Sequence, residues 1–319
     1  MAFEPSIAIV EDHPDGLVHV RSDTGEEVTV LADSINEAGN RLITFDTRYY
    51  RGIHAEMMTH RVFSRNSASS RAIPVMKMVK QVLEDPYVPS YWGAYQAGMQ
   101  AHQEIEFPEE AEMHWRYGAL SAVDSAMTLL FGSEWTQYAG KMDVREAFEL
   151  FEGVKPDPAV APHKQIVNRV LEPYLWHRVV ISSTSWENFY DLRVDGDADP
   201  AIHQIAYLME VASKLSTPEP VDYDDWHTPL ITWDERDQLS LEDALKVSAA
   251  RCARTSYLTH DGKRDFEKDL ELFDRLVTGK PHLSPLEHVA RPLASSDEQI
   301  GNFTGWTQLR GQLFGRSDG

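Results

Sequence analysis

The densest polar segment of the chain is T-H-R-V-F-S-R-N-S-A-S-S-R, from Thr59 to Arg71. Few folds need so many arginines and hydroxyl groups in one stretch for stability. If the end of the segment is extended, alternate side chains project to one side, so that Ser69 and Arg71 would face a common ligand. A hydroxyl beside a forked cation suits a phosphate group. A solvated loop with incidental arginines is the other interpretation, and spacing alone leaves both open.

Composition narrows the classes of partner. At 319 residues, with 42% apolar and 25% charged side chains, the chain has the composition of a soluble globular protein of one large or two small domains. The formal charge of −21 argues against duplex DNA, RNA and anionic lipid, because these polyanions would be repelled. A small anionic ligand needs only a local cluster of arginines and backbone N–H groups. The sequence therefore predicts a small-molecule partner, with neither polymeric nucleic acid nor a membrane.

Several familiar motifs are missing from the sequence. Its histidines form no H-E-x-x-H pattern and no compact cluster with carboxylates, so no metal is expected. G-x-G-x-x-G and G-x-x-x-x-G-K-[ST] do not occur, so a dinucleotide would be held without a Rossmann or P-loop phosphate cradle. The single cysteine, Cys252, cannot form an internal disulfide and is expected to be buried on a helix. The sequence has no run of 18 apolar residues and no signal-peptide pattern at its start, so we expect a cytoplasmic protein.

Hydrophobic periodicity predicts an α/β (α+β) chain with a mixed sheet and long helices. Residues 5–32 alternate in polarity between turn signals, and L-I-T-F-D-T-R-Y-Y up to Tyr50 is rich in strand-forming residues. Helices are predicted at 53–58, 73–83, 111–130, 144–151, 163–180 with an interruption at Pro173, 200–215, 241–254 and 264–278. The proline-rich acidic stretch 216–230 is expected to be the chief boundary. The expected segments are an N-terminal β cap, a core and a C-terminal segment: 1–33, 34–235 and 236–319.

The polar segment resembles a motif of the flavin-dependent thymidylate synthases. That family carries Arg-His-Arg, seven residues, Ser, and an Arg two positions further on; here His60-Arg61, V-F-S-R-N-S-A, Ser69 and Arg71 match it. Thr59 stands where the family has its first Arg. In the family this segment touches both the flavin and the substrate phosphate. The resemblance therefore implies substrate contacts from Ser69, Ser70 and Arg71 and flavin contacts from His60, Arg61 and Asn66.

A second resemblance covers N-R-V-L-E-P, Asn168 to Pro173, and S-W-E-N-F-Y-D-L-R-V-D, Ser185 to Asp195. By similarity to the family, Arg169 contacts the nucleotide and Arg193 lies against the pyrimidine base. There a fixed cation can stabilise negative charge that develops on the ring. Asn188 matches a flavin contact of the family.

The third resemblance is out of order along the chain. A-A-R-C-A-R-T-S-Y, Ala249 to Tyr257, and H-L-S-P-L-E-H, His282 to His288, are similar to family motifs that precede the Arg-His-Arg motif in relatives. Here they follow it, as in a circularly permuted chain, which is tolerated when native termini are exposed and close together. The resemblance implies that Ser256, Ser284 and Glu287 approach the flavin and that His282 lies at the flavin face where folate stacks.

The resemblance implies a reaction in which dUMP becomes dTMP. FAD reduced by NADPH supplies hydride, 5,10-methylenetetrahydrofolate supplies carbon, and no protein nucleophile is obligatory. The residues expected to be catalytic are Arg193, Ser69 and His282, and the expected assembly is a homotetramer. The protein's own task is then positioning and electrostatics.

Two other functions stay open. A sister enzyme on the same scaffold would act on dCMP, or would leave a hydroxymethyl group. Departures from the family pattern at Glu56, Thr59 and Ser67 favour it, since exchange of an amide for an acid near a pyrimidine changes its preference for donors and acceptors. Glu56 is accordingly a candidate substrate contact. A non-catalytic nucleotide-binding protein that has lost the reaction is the third candidate.

Overall fold

The computed structural model describes residues 3–6, 8–254, 264–294 and 298–315. Over these residues the chain combines a mainly antiparallel sheet with several helices, which confirms the mixed α and β class. The strands are β1 (Ile9–Asp12), β2 (Val18–Arg21), β3 (Glu27–Ile35), β4 (Arg41–Tyr50), β5 (Ser64–Ser67), β6 (Trp176–Ser183), β7 (Glu219–Pro220), β8 (Ala290–Pro292), β9 (Gln299–Ile300), β10 (Phe303–Thr304) and β11 (Trp306–Gln308).

The helices include a long α3 and several single turns. In chain order they are α1 (His54–Met57), α2 (Val75–Glu84), α3 (Pro108–Phe131), α4 (Ser133–Thr136), α5 (Val144–Glu149), α6 (Lys164–Val167), α7 (Glu187–Arg193), α8 (Pro200–Leu215), α9 (Trp233–Arg236), α10 (Leu241–Arg254), α11 (Phe266–Val277) and α12 (Leu309–Phe314). Short 3-10 turns cover Arg51–Ile53, Asn168–Val170, Glu172–Tyr174 and Ser284–Glu287.

The main sheet has the strand order β1-β2-β3-β4-β6-β5, and β7 pairs in parallel with β3. Successive strands from β1 to β4 pair antiparallel, as the turn signals of the N-terminal region predict. β5 lies at the end of this order and pairs antiparallel with β6. The pairing sets Ser64 opposite Ser182 and Asn66 opposite Val180, so residues 64–67 of the polar segment form one edge of the sheet.

The prediction of a helix over 163–180 is wrong beyond Val167. After α6 the chain makes two 3-10 turns and then enters strand β6, whose residues from Val179 to Ser183 are all buried. Pro173 lies at the start of the second 3-10 turn, Glu172–Tyr174, where a missing backbone donor is tolerated, and the chain becomes extended at Leu175. An apolar run that is buried on both faces has no period-2 signature, so periodicity alone cannot distinguish such a strand from a buried helix.

The chain divides into two compact units, each made of segments distant in sequence. Unit 1 comprises Met1–Glu4, Tyr50–His54 and Ser69–His177, and unit 2 comprises Pro5–Tyr49, Ala55–Ala68 and Arg178–Gly319. The stretch 216–230 lies wholly within unit 2.

Unit 1 is built around α2 and α3. The helices pack against each other through apolar faces that include Met78 and Val82 on α2 and Val123 and Met127 on α3, all buried. The apolar spacing of both helices follows the helical repeat, which is why the sequence predicted them.

Unit 2 is built on the sheet. α8 packs on β2 and β3, and α10 packs on α11 and on the 3-10 turn Ser284–Glu287. Capping residues define the helix starts: the Asp199 carboxylate accepts from the Ala201 N–H at 2.9 Å, and the Asp265 carboxylate accepts from the Lys268 N–H at 3.2 Å. The turn 284–287 also contacts β5, so the C-terminal part of the chain reaches the polar segment.

Candidate functional site

One cluster in unit 2 is centred on the guanidinium of Arg193, the last residue of α7. Its Nε–H donates to Nε2 of His60 at 3.1 Å. Its Nη1 lies 3.4 Å from Oε2 of Glu56, and its Nη2 lies 3.4 Å from Oγ1 of Thr59. Two positions that depart from the family pattern, Glu56 and Thr59, therefore meet the arginine that the resemblance sets against the base.

The imidazole of His60 is neutral at physiological pH. Burial, with Arg193 and Arg65 nearby, lowers the pKa of His60 to about 4. Because a guanidinium N–H can only donate, Nε2 of His60 accepts and the ring proton is on Nδ1. The ring therefore orients Arg193 without cancelling its charge.

Aromatic rings fix the position of His60. The ring of Phe63 stacks on it with centroids 5.5 Å apart, and the ring of Phe189 meets it edge-on at 4.8 Å. Phe189 is buried on α7, whereas the neighbouring Asn188 is exposed. This packing ties α7 to the loop that carries His60, and so holds Arg193 in place.

Glu56 is easier to protonate than an ordinary carboxyl group. Burial and the charge of Asp199 raise the pKa of Glu56, and Arg193 opposes them. An ionised carboxylate only accepts hydrogen bonds, while a protonated one also donates. The Glu56 carboxyl beside Arg193 can therefore accept a hydrogen bond when ionised and donate one when protonated.

A second cluster in unit 2 surrounds Asn66 on β5. Its Nδ2 donates to the carbonyl of Cys252 at 2.6 Å, and its Oδ1 accepts from Oγ of Ser284 at 3.2 Å. Cys252 lies on α10, and Ser284 opens the 3-10 turn near the C-terminal end. Residues of the out-of-order motifs are thus neighbours of the polar segment.

The second cluster includes residues that the sequence did not single out. Nε2 of Gln308 donates to Oγ of Ser64 and to the carbonyl of Glu287, each at 2.8 Å. The Glu287 carboxylate forms an ion pair with Arg310. Gln308 and Arg310 belong to the last part of the chain, where no motif was recognised, and nothing in their spacing marks them.

Arg65 connects the two clusters of unit 2. Its Nη1 donates to the carbonyl of Met57 at 2.9 Å and to that of His60 at 3.2 Å. Burial lowers the pKa of Arg65, while Tyr49 and Glu287 oppose that shift. His60 and Asn66 are therefore held on one short, internally bonded segment.

The expected phosphate residues Ser69, Ser70, Arg71 and Arg169 lie in unit 1. Ser69 to Ala72 is a turn in which the Ala72 N–H donates to the Ser69 carbonyl at 2.9 Å, so the extended conformation that would align Ser69 with Arg71 is not present. Nδ2 of the buried Asn168 donates to the carbonyls of Ser70 at 2.6 Å and Ile73 at 3.0 Å. This anchor holds the turn to the chain beside Arg169. Arg71 and Arg169 are both exposed.

Other expected site residues are not joined to these clusters by a described side-chain contact. The backbone N–H of His282 donates to the Leu276 carbonyl at 2.8 Å, and its imidazole is exposed. Arg61 is also exposed. Ser256 lies outside the described residues.

A fully buried polar chain crosses the interior of unit 2. Oγ of Ser34 lies 2.8 Å from Nδ1 of His227, whose Nε2 lies 2.7 Å from Oγ1 of Thr44. Thr44 contacts Oγ of Ser182 at 2.6 Å, and Ser182 contacts Nδ1 of His288 at 2.8 Å. Burial lowers the pKa of each histidine to about 3, so both rings are neutral. His288, which closes the motif H-L-S-P-L-E-H, thus has a packing role.

Comparison with models of known protein families and with curated protein sequences finds no match to this chain. No helix within the described ranges is long and apolar enough to cross a membrane. Among the same residues, no group of three or more histidine, cysteine, aspartate and glutamate side chains is arranged to hold a metal ion.

Proposed function

We propose that this chain is a flavin-dependent thymidylate synthase that methylates dUMP to dTMP with 5,10-methylenetetrahydrofolate and with FAD reduced by NADPH. The observation that carries the proposal is the contact of Ser284 and Cys252 with Asn66. It is a contact between motifs that are out of order along the chain. A circular permutation keeps the spatial neighbours of a fold while changing their order, and a contact of this kind supports it.

If the C-terminal motifs resembled the family only by chance, they would have no reason to contact Asn66. If residues 236–319 were an appended domain, S-P-L-E-H would have no cause to lie against the polar segment. Instead the turn Ser284–Glu287 contacts β5, and Gln308 bonds to both Ser64 and Glu287. The C-terminal segment therefore completes the surroundings of Asn66, as a permuted chain would require.

Arg193 is suited to an electrostatic role at a pyrimidine ring. The neutral His60 orients its guanidinium at 3.1 Å, and the Phe63 and Phe189 rings fix His60. A cation held in advance stabilises charge that develops on the substrate without costly reorganisation. In this proposal Arg193 faces the base. By the family resemblance, the proposed phosphate contacts are Ser69, Ser70, Arg71 and Arg169.

The donor set around Asn66 fits the polar edge of a flavin ring. Amide and hydroxyl groups complement carbonyl oxygens and ring nitrogens, and here they are the side chains of Asn66 and Ser284. The neutral imidazole of His60, in the cluster around Arg193, is a further proposed FAD contact. Arg61, Asn188, Ser256 and Glu287 complete the proposed FAD contacts, with His282 on the folate side. When bound, the flavin supplies the hydride. The fully buried Cys252 thiol, whose pKa is raised by burial, has no part in the chemistry.

A dCMP enzyme, or one that leaves a hydroxymethyl group, is the second candidate. Glu56 favours it, because its pKa is raised and it lies 3.4 Å from Arg193. A protonated carboxyl next to the base can donate to an acceptor nitrogen of cytosine, which uracil does not offer in the same place. A cytoplasmic location and a homotetrameric assembly belong to the proposal through the family resemblance.

The deciding experiment supplies the purified protein with FAD, NADPH and methylenetetrahydrofolate, and with either dUMP or dCMP. Product masses distinguish methyl from hydroxymethyl and uracil from cytosine. Protein that is yellow as purified and bleached by NADPH is expected. Colourless protein that binds dUMP but yields no product with added FAD would support the non-catalytic candidate and refute this function. The matched control is Arg193→Lys, which keeps the charge but loses the planar fork.

A further inference from the structure

A cavity of about 980 Å³ lies within unit 2, between the N-terminal strands and the segment that precedes α10. This volume is at the upper end of the range for small-molecule sites, and it is far larger than a single phosphate needs. Of the candidate-site residues that the structure describes, none lines it. On α10 the carbonyl of Cys252 faces Asn66, whereas Arg251 and Arg254 line the cavity, so the helix stands between the two places.

The cavity wall presents arginine side chains whose carboxylate partners lie deeper. Arg178 pairs with Asp46 at 2.6 Å, and their side chains are 39% and 11% exposed. Arg264 pairs with Glu235 at 2.7 Å, with exposures of 35% and 7%. The guanidinium is the accessible member of each pair. At these two pairs a ligand in the cavity therefore meets planar N–H donors before the carboxylates, although the chain as a whole carries a charge of −21.

Four other carboxylates reach the cavity wall, and each is already bound by an arginine; they are Asp15, Asp33, Glu219 and Asp269. Asp15 pairs with Arg264 at 2.6 Å, and Glu219 pairs with Arg236 at 2.8 Å. These ion pairs hold the arginine guanidinium groups in fixed orientations. Guanidinium groups fixed in this way suit bidentate binding of phosphate or carboxylate oxygens.

The remaining wall is apolar with interspersed hydroxyl groups. Leu17, Leu230 and Trp233 line it, and the guanidinium of Arg236 lies 4.6 Å from the centroid of the Trp233 ring. The Arg236 cation fixes the Trp233 indole on one side, and the aromatic surface can pack against a planar ring of a ligand. The cavity thus offers anion binding and ring packing together.

We propose that this cavity binds a nucleotide, with its phosphates on the arginines and its base on the apolar wall that includes Trp233. Forked cations, a flat aromatic surface, hydroxyl groups and sufficient volume are the features that a nucleoside phosphate requires together. Inorganic phosphate would leave most of the volume unused. The site is separate from the proposed reaction site and does not depend on that reaction.

The test is calorimetric titration of the Arg71→Ala chain, which removes the proposed phosphate contact in unit 1. The probes are ADP, tripolyphosphate and adenosine. ADP should bind saturably, tripolyphosphate more weakly and adenosine not measurably. Arg264→Gln should weaken ADP binding at least roughly tenfold, the loss expected of one charge-assisted hydrogen bond. Trp233→Ala should lower the affinity for ADP but leave the affinity for tripolyphosphate unchanged.

Arg291→Gln is the matched control. Arg291 is exposed and its guanidinium also lies over an indole, 5.9 Å from the Trp226 centroid, but it does not line the cavity. Its ADP affinity should be unchanged. If Arg264→Gln lowers the melting temperature, Arg236→Gln takes its place. Absence of ADP binding, or ADP binding that neither the arginine variant nor Trp233→Ala alters, overturns the site. Equal affinity for ADP and tripolyphosphate overturns the nucleotide assignment.

Discussion

Oγ of Ser284 lies 3.2 Å from Oδ1 of Asn66, although 218 residues separate them along the chain. Asn66 also binds the carbonyl of Cys252, so its amide is held at both ends. An amide with both ends bonded has one orientation, because reversing it would set two acceptors or two donors against each other. Asn66 is therefore the point at which the N-terminal and C-terminal motifs meet.

Replacing Asn66 by Asp should disturb this contact strongly. The carboxylate would face the Cys252 carbonyl at 2.6 Å without a donor between them, and a buried group left unsatisfied costs about 1–3 kcal/mol. We expect that loss in the free energy of urea unfolding, together with loss of bound FAD. Ser284→Ala should keep the fold and reduce FAD retention. The control is Ser121→Ala, an exposed helix serine of unit 1. Unchanged FAD retention in both Asn66→Asp and Ser284→Ala would refute the permuted site.

Arg193 should matter for turnover more than for flavin binding. Arg193→Lys loses the Nε–H that donates to His60, so the cation is no longer fixed. We expect kcat to fall while the FAD content of the purified protein stays nearly normal. Loss of FAD with normal turnover on reconstitution would reverse the roles. His60→Ala should reproduce the fall in kcat, because it removes the group that orients Arg193.

Arg71 should determine affinity for the nucleotide phosphate. Arg71→Ala removes one charge-assisted pair, so the nucleotide KM should rise by an amount equivalent to about 1.5–3 kcal/mol with little change in kcat. Arg145→Ala is the matched control, since Arg145 is another exposed arginine of unit 1. An unchanged KM in Arg71→Ala would remove the phosphate assignment.

The sequence predicted those parts of the fold that have a clear period. The antiparallel strands from β1 to β4 alternate between turn signals, and α2, α3, α8, α10 and α11 have helix-spaced apolar residues. Strand β6 was not predicted because its residues from Val179 to Ser183 are all buried, so buried and exposed positions do not alternate there. The turn at Ser69 was missed because no glycine or proline marks it. It is stabilised by the amide of Asn168, and a tertiary contact of this kind leaves no local signal.

Much of the candidate site could be named in advance, but its connections could not. The family resemblance singled out His60 and Arg193 as separate site residues. Their hydrogen bond joins positions 133 residues apart, and only folding brings them together. Gln308 bonds to two motif residues yet has no motif of its own. Cys252 contributes through its backbone carbonyl, which accepts from Asn66. A backbone contact of this kind cannot be predicted from the identity of the side chain.

The last prediction concerns acid sensitivity, to which the buried rings of His227 and His288 should contribute. Each is fully buried, and burial lowers its pKa from 6.5 to about 3 in the folded chain. Below about pH 6.5 the unfolded chain takes up a proton that the folded chain cannot accept until about pH 3. Stability therefore falls with decreasing pH across this window, and these histidines have no effect above it.

Between about pH 7 and pH 5 the free energy of unfolding should fall by about 2 kcal/mol for each of the two imidazoles, those of His227 and His288. Urea unfolding at the two pH values measures it. Carboxylates also begin to titrate at the lower pH, so the histidine part is isolated by comparison with His288→Gln, which cannot titrate. That variant should be less stable than the native chain at about pH 7, because its bond to Ser182 is altered, yet its loss on acidification should be smaller by about 2 kcal/mol. The same loss in both chains would show that His288 takes up its proton without unfolding, contrary to a fully buried neutral ring.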